Sequence, residues 1–371
     1  MGLAATVIRG AVPIWACALA LAGCLGDGGG DEPTRIAGDT ATVYSSAPHH
    51  GASAAVASAM MAGERRALAE AGGRAGELRI RLKELPATEA APEQPWDPAL
   101  VSENADRAAE DPSAIAYLGE IDYGATAVSL PITNDAGLLQ VSPGDGLTSL
   151  TQRPPGRPRA GPERYYPSDE RSFVRLGPTD LQEVEYLLQR VRDAGAERIA
   201  VVFDRGIYGR ELAGQIFARA RRDDIEPVAS EEYRGKPEEI LDIARRLAEA
   251  RPDAVIHAAV AGGGTSRLLG EIDAQLPSVP LFATSGVLAG RRSLALPARL
   301  ARVEAVGPAI SPERAGYEAM RLVLDAVEDG QRDRRRVIAA ARRLAPGVTD
   351  PRLALYRPGA DGRFERVGVA R

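Results

Sequence analysis

The chain has 371 residues, with 46 Lys and Arg against 51 Asp and Glu for a formal net charge of −5, and is 44% hydrophobic but only 5% aromatic. That length allows two or three compact units, with a core of Ala, Val and Leu on helices and strands. The basic and acidic residues are well mixed and leave no basic face for a phosphate backbone, which excludes nucleic acid as a partner.

Residues 1–23 read as an export signal: Arg9 is their only charge, an apolar run covers 11–22, and small residues close it. The run is shorter than the roughly 20 residues a bilayer span needs. An acidic, glycine-rich tether follows, GDGGGDEPT. At the junction Leu21, Ala22, Gly23 and Cys24 look like the lipobox of bacterial lipoproteins, so Cys24 is expected to become the lipidated first residue of the mature chain. The other cysteine, Cys17, lies inside the removed segment, so no disulfide is expected. Met1, Gly2 and Thr6 fit a loose myristoylation pattern, but the apolar run behind them belongs to an export signal.

From residue 42 onward strand-like and helix-like segments alternate, the pattern of a parallel sheet flanked by helices. A strand at 42–46 leads to a helix at 52–71 that stops at Gly72 and Gly73, then a strand at 78–82. Four prolines between 86 and 98 predict a surface excursion, followed by a helix at 99–110 and a buried strand at 114–118. A Gly loop at 119–124 opens a helix at 125–135, with Pro131 as a kink or early stop, and a strand at 137–142 follows. Five prolines and four arginines mark 151–169 as a long surface loop.

A second cycle begins after Phe173. The helix at 181–194 aligns Leu181, Val184, Leu187, Leu188 and Val191 on one face, and RIAVVF at 198–203 is the next strand. Helices near 209–222, 237–250 and 263–275 alternate with strands near 225–233, 254–258 and 280–284. After a strand at 303–307 come a helix at 312–329, an arginine-rich helix to 344, and closing strands at 353–357 and 364–370. Two successive arrays of this kind predict an α/β fold of two Rossmann-like lobes, with ligand in the cleft between them. Loops 46–53, 119–126, 142–148, 204–208, 258–266 and 284–290 would form its rim, beyond the carboxyl ends of the strands.

VYSSAPHHGASA at 43–54, the block at 105–143, RIAVVFDRGIYGREL at 198–212 and PLFATSGVL at 280–288 resemble the leucine/isoleucine/valine-binding proteins, the substrate-binding components of branched-chain amino acid ABC importers. The resemblance extends across nearly the whole mature chain. It implies a type I periplasmic-binding fold, a Venus flytrap joined by a multi-strand hinge, that closes over an amino acid or related small molecule and delivers it to a permease. The implied organisation is a signal peptide over 1–23, a lipidated tether over 24–40 and a first lobe over 41–172. A second lobe covers 173–307, the chain returns to the first over 308–350, and strands over 351–371 close the hinge and second lobe. The implied protein is a monomer on the outer face of the cell membrane, held there by its lipid alone. It needs no cofactor and no metal, and it is not an enzyme. The same lobes could instead sense a ligand for a membrane signalling partner.

The resemblance also implies the ligand contacts. The loops holding Tyr123, Gly124, Ala125 and Thr126, and Gly144 and Gly146, would hold the ligand carboxylate. The residues alone support this, because the helix beginning at Gly124, Ala125 and Thr126 offers free amides and a dipole to an anion, and glycines 144 and 146 allow close approach. The family's serine falls at Tyr123 or Gly124. Tyr208, in DxxxYG with Asp204 and Gly209, matches the ring that covers the ligand, with a turn residue before a helix as the alternative. The family's ammonium-binding acid falls at Ser285, which carries no charge; its loss removes a charge-assisted hydrogen bond and counts against a standard α-amino acid, leaving an amide, a short carboxylate and an aromatic acid open. Glu120 and Asp122 could replace the missing acid; otherwise they are exposed loop charges. His50, beside His49, could touch ligand, against the plainer reading of solvated loop histidines, and a metal would need a third donor. His257 ends a strand on the cleft side, with a satisfied, partly buried ring as the common alternative.

Other motifs fail on spacing. Gly262, Gly263 and Gly264 lack a Walker lysine, and Arg267 stands where a dinucleotide fingerprint needs its third glycine. No GxSxG, HExxH or paired CxxC occurs. The run Arg332, Arg334, Arg335, Arg336, Arg342 and Arg343 reads as a solvated helix face, with a permease-docking patch as the alternative.

Overall fold

The computed structural model describes residues 35–89, 95–121, 124–157, 159–262, 264–289 and 294–369. The expected signal peptide and Cys24 lie outside them, as do Asp122, Tyr123 and Gly263. Among the described residues, no helix is long and apolar enough to cross a membrane.

The first array contains β1 (Thr40–Ala47), α1 (Ala54–Glu70), β2 (Arg74–Ala75), β3 (Leu78–Pro86), α2 (Pro98–Ala109), β4 (Ala114–Leu118), α3 (Thr126–Asp135), β5 (Leu139–Ser142) and β6 (Phe173–Arg175). Its sheet runs β2-β3-β1-β4-β5-β6, parallel apart from the short antiparallel β2. The second contains α4 (Asp180–Asp193), β7 (Arg198–Asp204), α5 (Ile207–Arg222), β8 (Glu226–Tyr233), α6 (Ile240–Glu249), β9 (Ala254–Ala258), α7 (Thr265–Gln275), β10 (Leu281–Ala283), α8 (Gly286–Ala289) and β11 (Glu304–Pro308). α9 (Pro312–Gly330) and α10 (Arg334–Val348) follow, then β12 (Leu353–Pro358) and β13 (Phe364–Val369). The second sheet runs β13-β12-β11-β10-β9-β7-β8, with β12 antiparallel to both of its neighbours, β11 and β13, and the other pairs parallel.

Each sheet is covered on both faces, which is why its central strands are buried at every position. Met320, Val323 and Val327 of α9 and Val337 and Ile338 of α10 pack on Val43, Ile115 and Leu139 of the first sheet. Ala105 and Ala108 of α2 pack on Tyr44 and Tyr117 of its other face. In the second sheet α6 and α7 cover one face, and α4 and α5 the other. The chain therefore passes between lobes three times, at 176–179, 309–311 and 349–352. Two hydrogen bonds tie these passages together: Asp350 N–H donates to Leu176 O at 2.8 Å, and Ala309 N–H to Arg352 O at 2.9 Å.

Four expectations change. The boundary expected at 172–173 falls after β6, because Phe173–Arg175 pairs in parallel with β5 and completes the first sheet. The stretch 151–169 is not only surface: Tyr165 and Tyr166 are buried with Leu130, Leu147 and Leu150, and the Tyr166 hydroxyl donates to Leu150 O at 2.8 Å. Pro131 neither stops nor shortens α3, which continues to Asp135. Within the arginine run, Arg334 is buried and donates to the carbonyls of Ala114, Asp111 and Ala136, while Arg335, Arg336, Arg342 and Arg343 are exposed.

Candidate functional site

The rim loops come together where the lobes meet. Gly124, with φ of +89°, lies so close to α5 that a Cβ there would stand 3.0 Å from Ile207 Cβ. Further along α5, Ser149 N–H donates to Glu211 Oε1 at 2.9 Å and Thr148 Oγ1 donates to Gln215 Oε1 at 3.2 Å. The lobes are closed on one another. Beside these contacts a largely apolar cavity is lined by Val56, Met60 and Ile121 from the first lobe and by Ser285, Leu288 and Tyr356 from the second, with Gly144 on its wall.

One amide of the expected carboxylate seat is taken by the protein itself. Thr126 N–H, in the first turn of α3, donates to Asp145 Oδ2 at 3.1 Å, and Asp145 Oδ1 accepts from Leu147 N–H at 3.0 Å. Ala125 is the N-cap of α3 and is buried. An acid from the neighbouring loop thus satisfies the amide that was expected to meet a ligand anion. Gly146 packs against the start of α4: its carbonyl accepts from Asp180 N–H at 2.7 Å, and a Cβ would fall 3.3 Å from Pro178 O. Gly144 does face the cavity.

Tyr208 begins α5 and is buried against the turn after β10. Its hydroxyl accepts from Gly286 N–H at 2.9 Å and donates to Thr284 Oγ1 at 2.9 Å, with Ser285 Oγ at 3.2 Å. Its motif partners are structural: Asp204 accepts from the amides of Gly206 and Val260, and a Cβ at Gly209 would stand 2.6 Å from Asp204 O. Ser285 lines the cavity, and its N–H donates to Glu183 Oε1 at 2.5 Å. His50 is exposed and absent from the cavity lining; its N–H donates to Thr88 Oγ1 at 3.0 Å. Glu120, expected as an exposed loop charge or an ammonium partner, is buried and accepts from Tyr117 and Ser46 hydroxyls at 2.6 and 2.8 Å. His257 shares the face of β9 that carries Val255, under α6 and α7; both ring nitrogens are buried without a hydrogen-bond partner among the described residues. Burial pushes its pKa down to about 4, so it is neutral at pH 7.

Sequence reading missed the acids. Asp145, Asp180, Glu183 and Glu211 are all buried around this junction, with Arg175 beside them. Arg175 donates to Asp145 O at 2.7 Å and to Leu147 O at 2.5 Å. Among the described residues, no group of three or more His, Cys, Asp or Glu side chains could hold a metal ion.

Burial pushes the carboxyls of Glu64, Glu120 and Glu183 up to about 7, about 8 and about 7, and raises Asp145, Asp180 and Glu211 too. In the unfolded chain a glutamate releases its proton near 4.5, while the fold keeps it bound to near 7. The unfolded state therefore binds fewer protons across that window, and stability falls as pH rises through it. The expected result is a melting temperature higher at pH 5.5 than at pH 8 by scanning calorimetry; a melting temperature that climbs with pH over this range contradicts it.

No family model and no curated protein matches the chain. Solved structures do. A leucine binding protein from Thermotoga maritima superposes with a TM-score of 0.69 at 14% identity, over 89% of this chain and 99% of that one. An ABC transporter substrate-binding protein from Desulfitobacterium hafniense in complex with Leu gives 0.68 at 18%, over 88% and 100%. An ABC transporter solute-binding protein from R. palustris in complex with benzoate gives 0.67 at 15%, over 89% and 96%. The chain has the type I periplasmic-binding fold. In these terms β1 to β6 with α1 to α3, α9 and α10 form one lobe of the periplasmic-binding fold, β7 to β13 with α4 to α8 form the other, and the cavity lies at their hinge-side junction.

Proposed function

We propose that this chain is an extracytoplasmic solute-binding lipoprotein of an ABC importer, taking an amino acid or a related small carboxylate or amide between its lobes and handing it to a permease. The observation that carries this reading is the cavity built from both lobes beside three hydrogen-bonded chain passages. A solute that touches both lobes binds the closed form better than the open one, and that difference drives closure. Export, lipidation at Cys24 and permease delivery belong to the same reading, supported by the N-terminal sequence and by the fold. The lobe boundaries follow the three passages.

The test is co-purification. Mass spectrometry of the native protein is expected to find one small organic solute, and adding that solute at about a hundred times its dissociation constant should stabilise the fold by about 2.7 kcal/mol. A protein that carries no solute and whose melting temperature ignores a broad panel of amino acids, amides and small carboxylates contradicts the reading.

A further inference from the structure

The outer face of α10 is the exception to a surface of mixed charge. Arg335, Arg336, Arg342 and Arg343 are exposed on it, while Val337, Ile338, Ala340 and Ala341 turn to the first sheet. Two helical turns separate Arg335 from Arg342 and Arg336 from Arg343, which sets the two pairs about 10 Å apart. The helix contains no Asp or Glu. Asp329 of α9 pairs with Arg343, and Asp333, the N-cap, accepts from the Arg336 amide at 3.1 Å. Among the described residues, no carboxylate pairs with the side chains of Arg335, Arg336 or Arg342. In the second lobe, by contrast, Arg210 pairs with Glu232, Arg219 with Glu185 and Arg245 with Glu249.

The N-terminal segment enters the fold at this same place. Ile36 is buried, its N–H donates to Arg332 O at 2.7 Å, and Arg35 forms a β-bridge with Asp333, two residues before Arg335. Cys24 precedes Arg35 by eleven positions, and a chain of that length spans at most about 40 Å. A lipid on Cys24 therefore keeps the start of α10 within that distance of the membrane surface. The planar fork of arginine matches phosphate, and each basic residue close to an anionic bilayer strengthens attachment about fivefold. The apolar side of α10 is already packed on the sheet, so the attraction is one of charge, without insertion.

We infer that the arginine face of α10 is a second membrane contact, which binds anionic phospholipid headgroups beside the point where the lipid tether joins the fold. The inference rests on the lipid-anchored reading above and adds a contact made by the protein surface, where the sequence implied the lipid alone. Because α10 packs on the first sheet, the first lobe is the one held, and the second is left free to close against it.

Co-sedimentation of the mature chain from Cys24, prepared without lipid, tests it; this chain contains every described residue. The vesicles are equal parts phosphatidylglycerol and phosphatidylcholine, or phosphatidylcholine alone. Wild type is expected to bind only the vesicles with phosphatidylglycerol, and to be released as salt rises from about 0.1 M to about 1 M and the screening length falls from about 10 Å to about 3 Å. Arg335→Gln, Arg336→Gln and Arg342→Gln together should weaken binding about tenfold or more. Arg221→Gln, Arg222→Gln and Arg245→Gln, which remove as much charge from the second lobe, should leave it unchanged; an equal loss makes it an effect of net charge and overturns the inference. Both triple variants change exposed positions and should melt with wild type. Binding that ignores the α10 substitutions or is the same on both vesicles overturns the inference, as does silence toward all vesicles, which returns the face to solvent or to a protein partner such as the permease. Binding that appears only after Asp27→Asn, Asp31→Asn and Glu32→Gln assigns the face to the tether's own acids and overturns it too. The anchor reading is decided separately, by mass spectrometry of the protein from membranes: no lipid on Cys24 ends that reading, while the vesicles decide the arginine face.

Discussion

Replacing Arg175 by methionine is expected to cost about 3–5 kcal/mol, the range for breaking a buried charge constellation by removing one partner. Arg175 is 8% exposed, and its guanidinium holds the carbonyls of Asp145 and Leu147 while standing among Asp145, Asp180 and Glu211. Methionine fills much of the volume, but it satisfies neither carbonyl and leaves the carboxyls without their cation. With total stabilities of about 5–15 kcal/mol usual for folded proteins, a loss of this size is visible as a large fall in melting temperature. The effect should depend on pH. Lowering the pH protonates the carboxyls that Arg175 faces, so the gap between wild type and R175M is expected to narrow from pH 8 to pH 5. Calorimetry at both pH values measures it, and a gap that widens toward acid shows that Arg175 does not serve these carboxyls.

Replacing Gly316 by alanine is expected to cost about 3 kcal/mol, at the upper end for overpacking. α1 and α9 cross with backbone against backbone: a Cβ on Gly316 would fall on Met60 O, and one on Gly63 would fall 2.6 Å from Tyr317 N. Neither obstacle is a side chain that can swing away, so the helices must separate. That separation would loosen Met60 and Ala315, which line the cavity, so solute affinity should fall together with stability. A control at Gly72, where a Cβ meets nothing within 4 Å although φ is +64°, should lose only the smaller backbone penalty. Urea unfolding compares the two; equal losses would mean that the helix crossing is not the tight point.

The distinction between sequence and tertiary structure is clear at particular residues. Alternating strand and helix signals, written in local periodicity and in Gly and Pro positions, were sufficient to read two βα arrays and to place rim loops 119–126 and 142–148, because these patterns depend on neighbours a few positions away. β6 escaped because three residues carry no periodicity, and only pairing with Val141 makes them a strand. The Gly124–Thr126 helix start was legible; that Asp145 occupies its amide was not.

The sequence by itself determined the class of fold, the order of its elements and the neighbourhood of the cleft, since burial of alternating apolar faces leaves few ways to stack them. Only the tertiary structure gathered buried charged residues at the lobe junction. Glu183 and Ser285 lie 102 residues apart, and Arg334 reaches Ala114 across 220. Along the chain, Asp145, Asp180, Glu183 and Glu211 look like ordinary surface acids. Folding removes them from water together, and desolvation, a property of the assembled surroundings and not of any segment, raises the pKa of each.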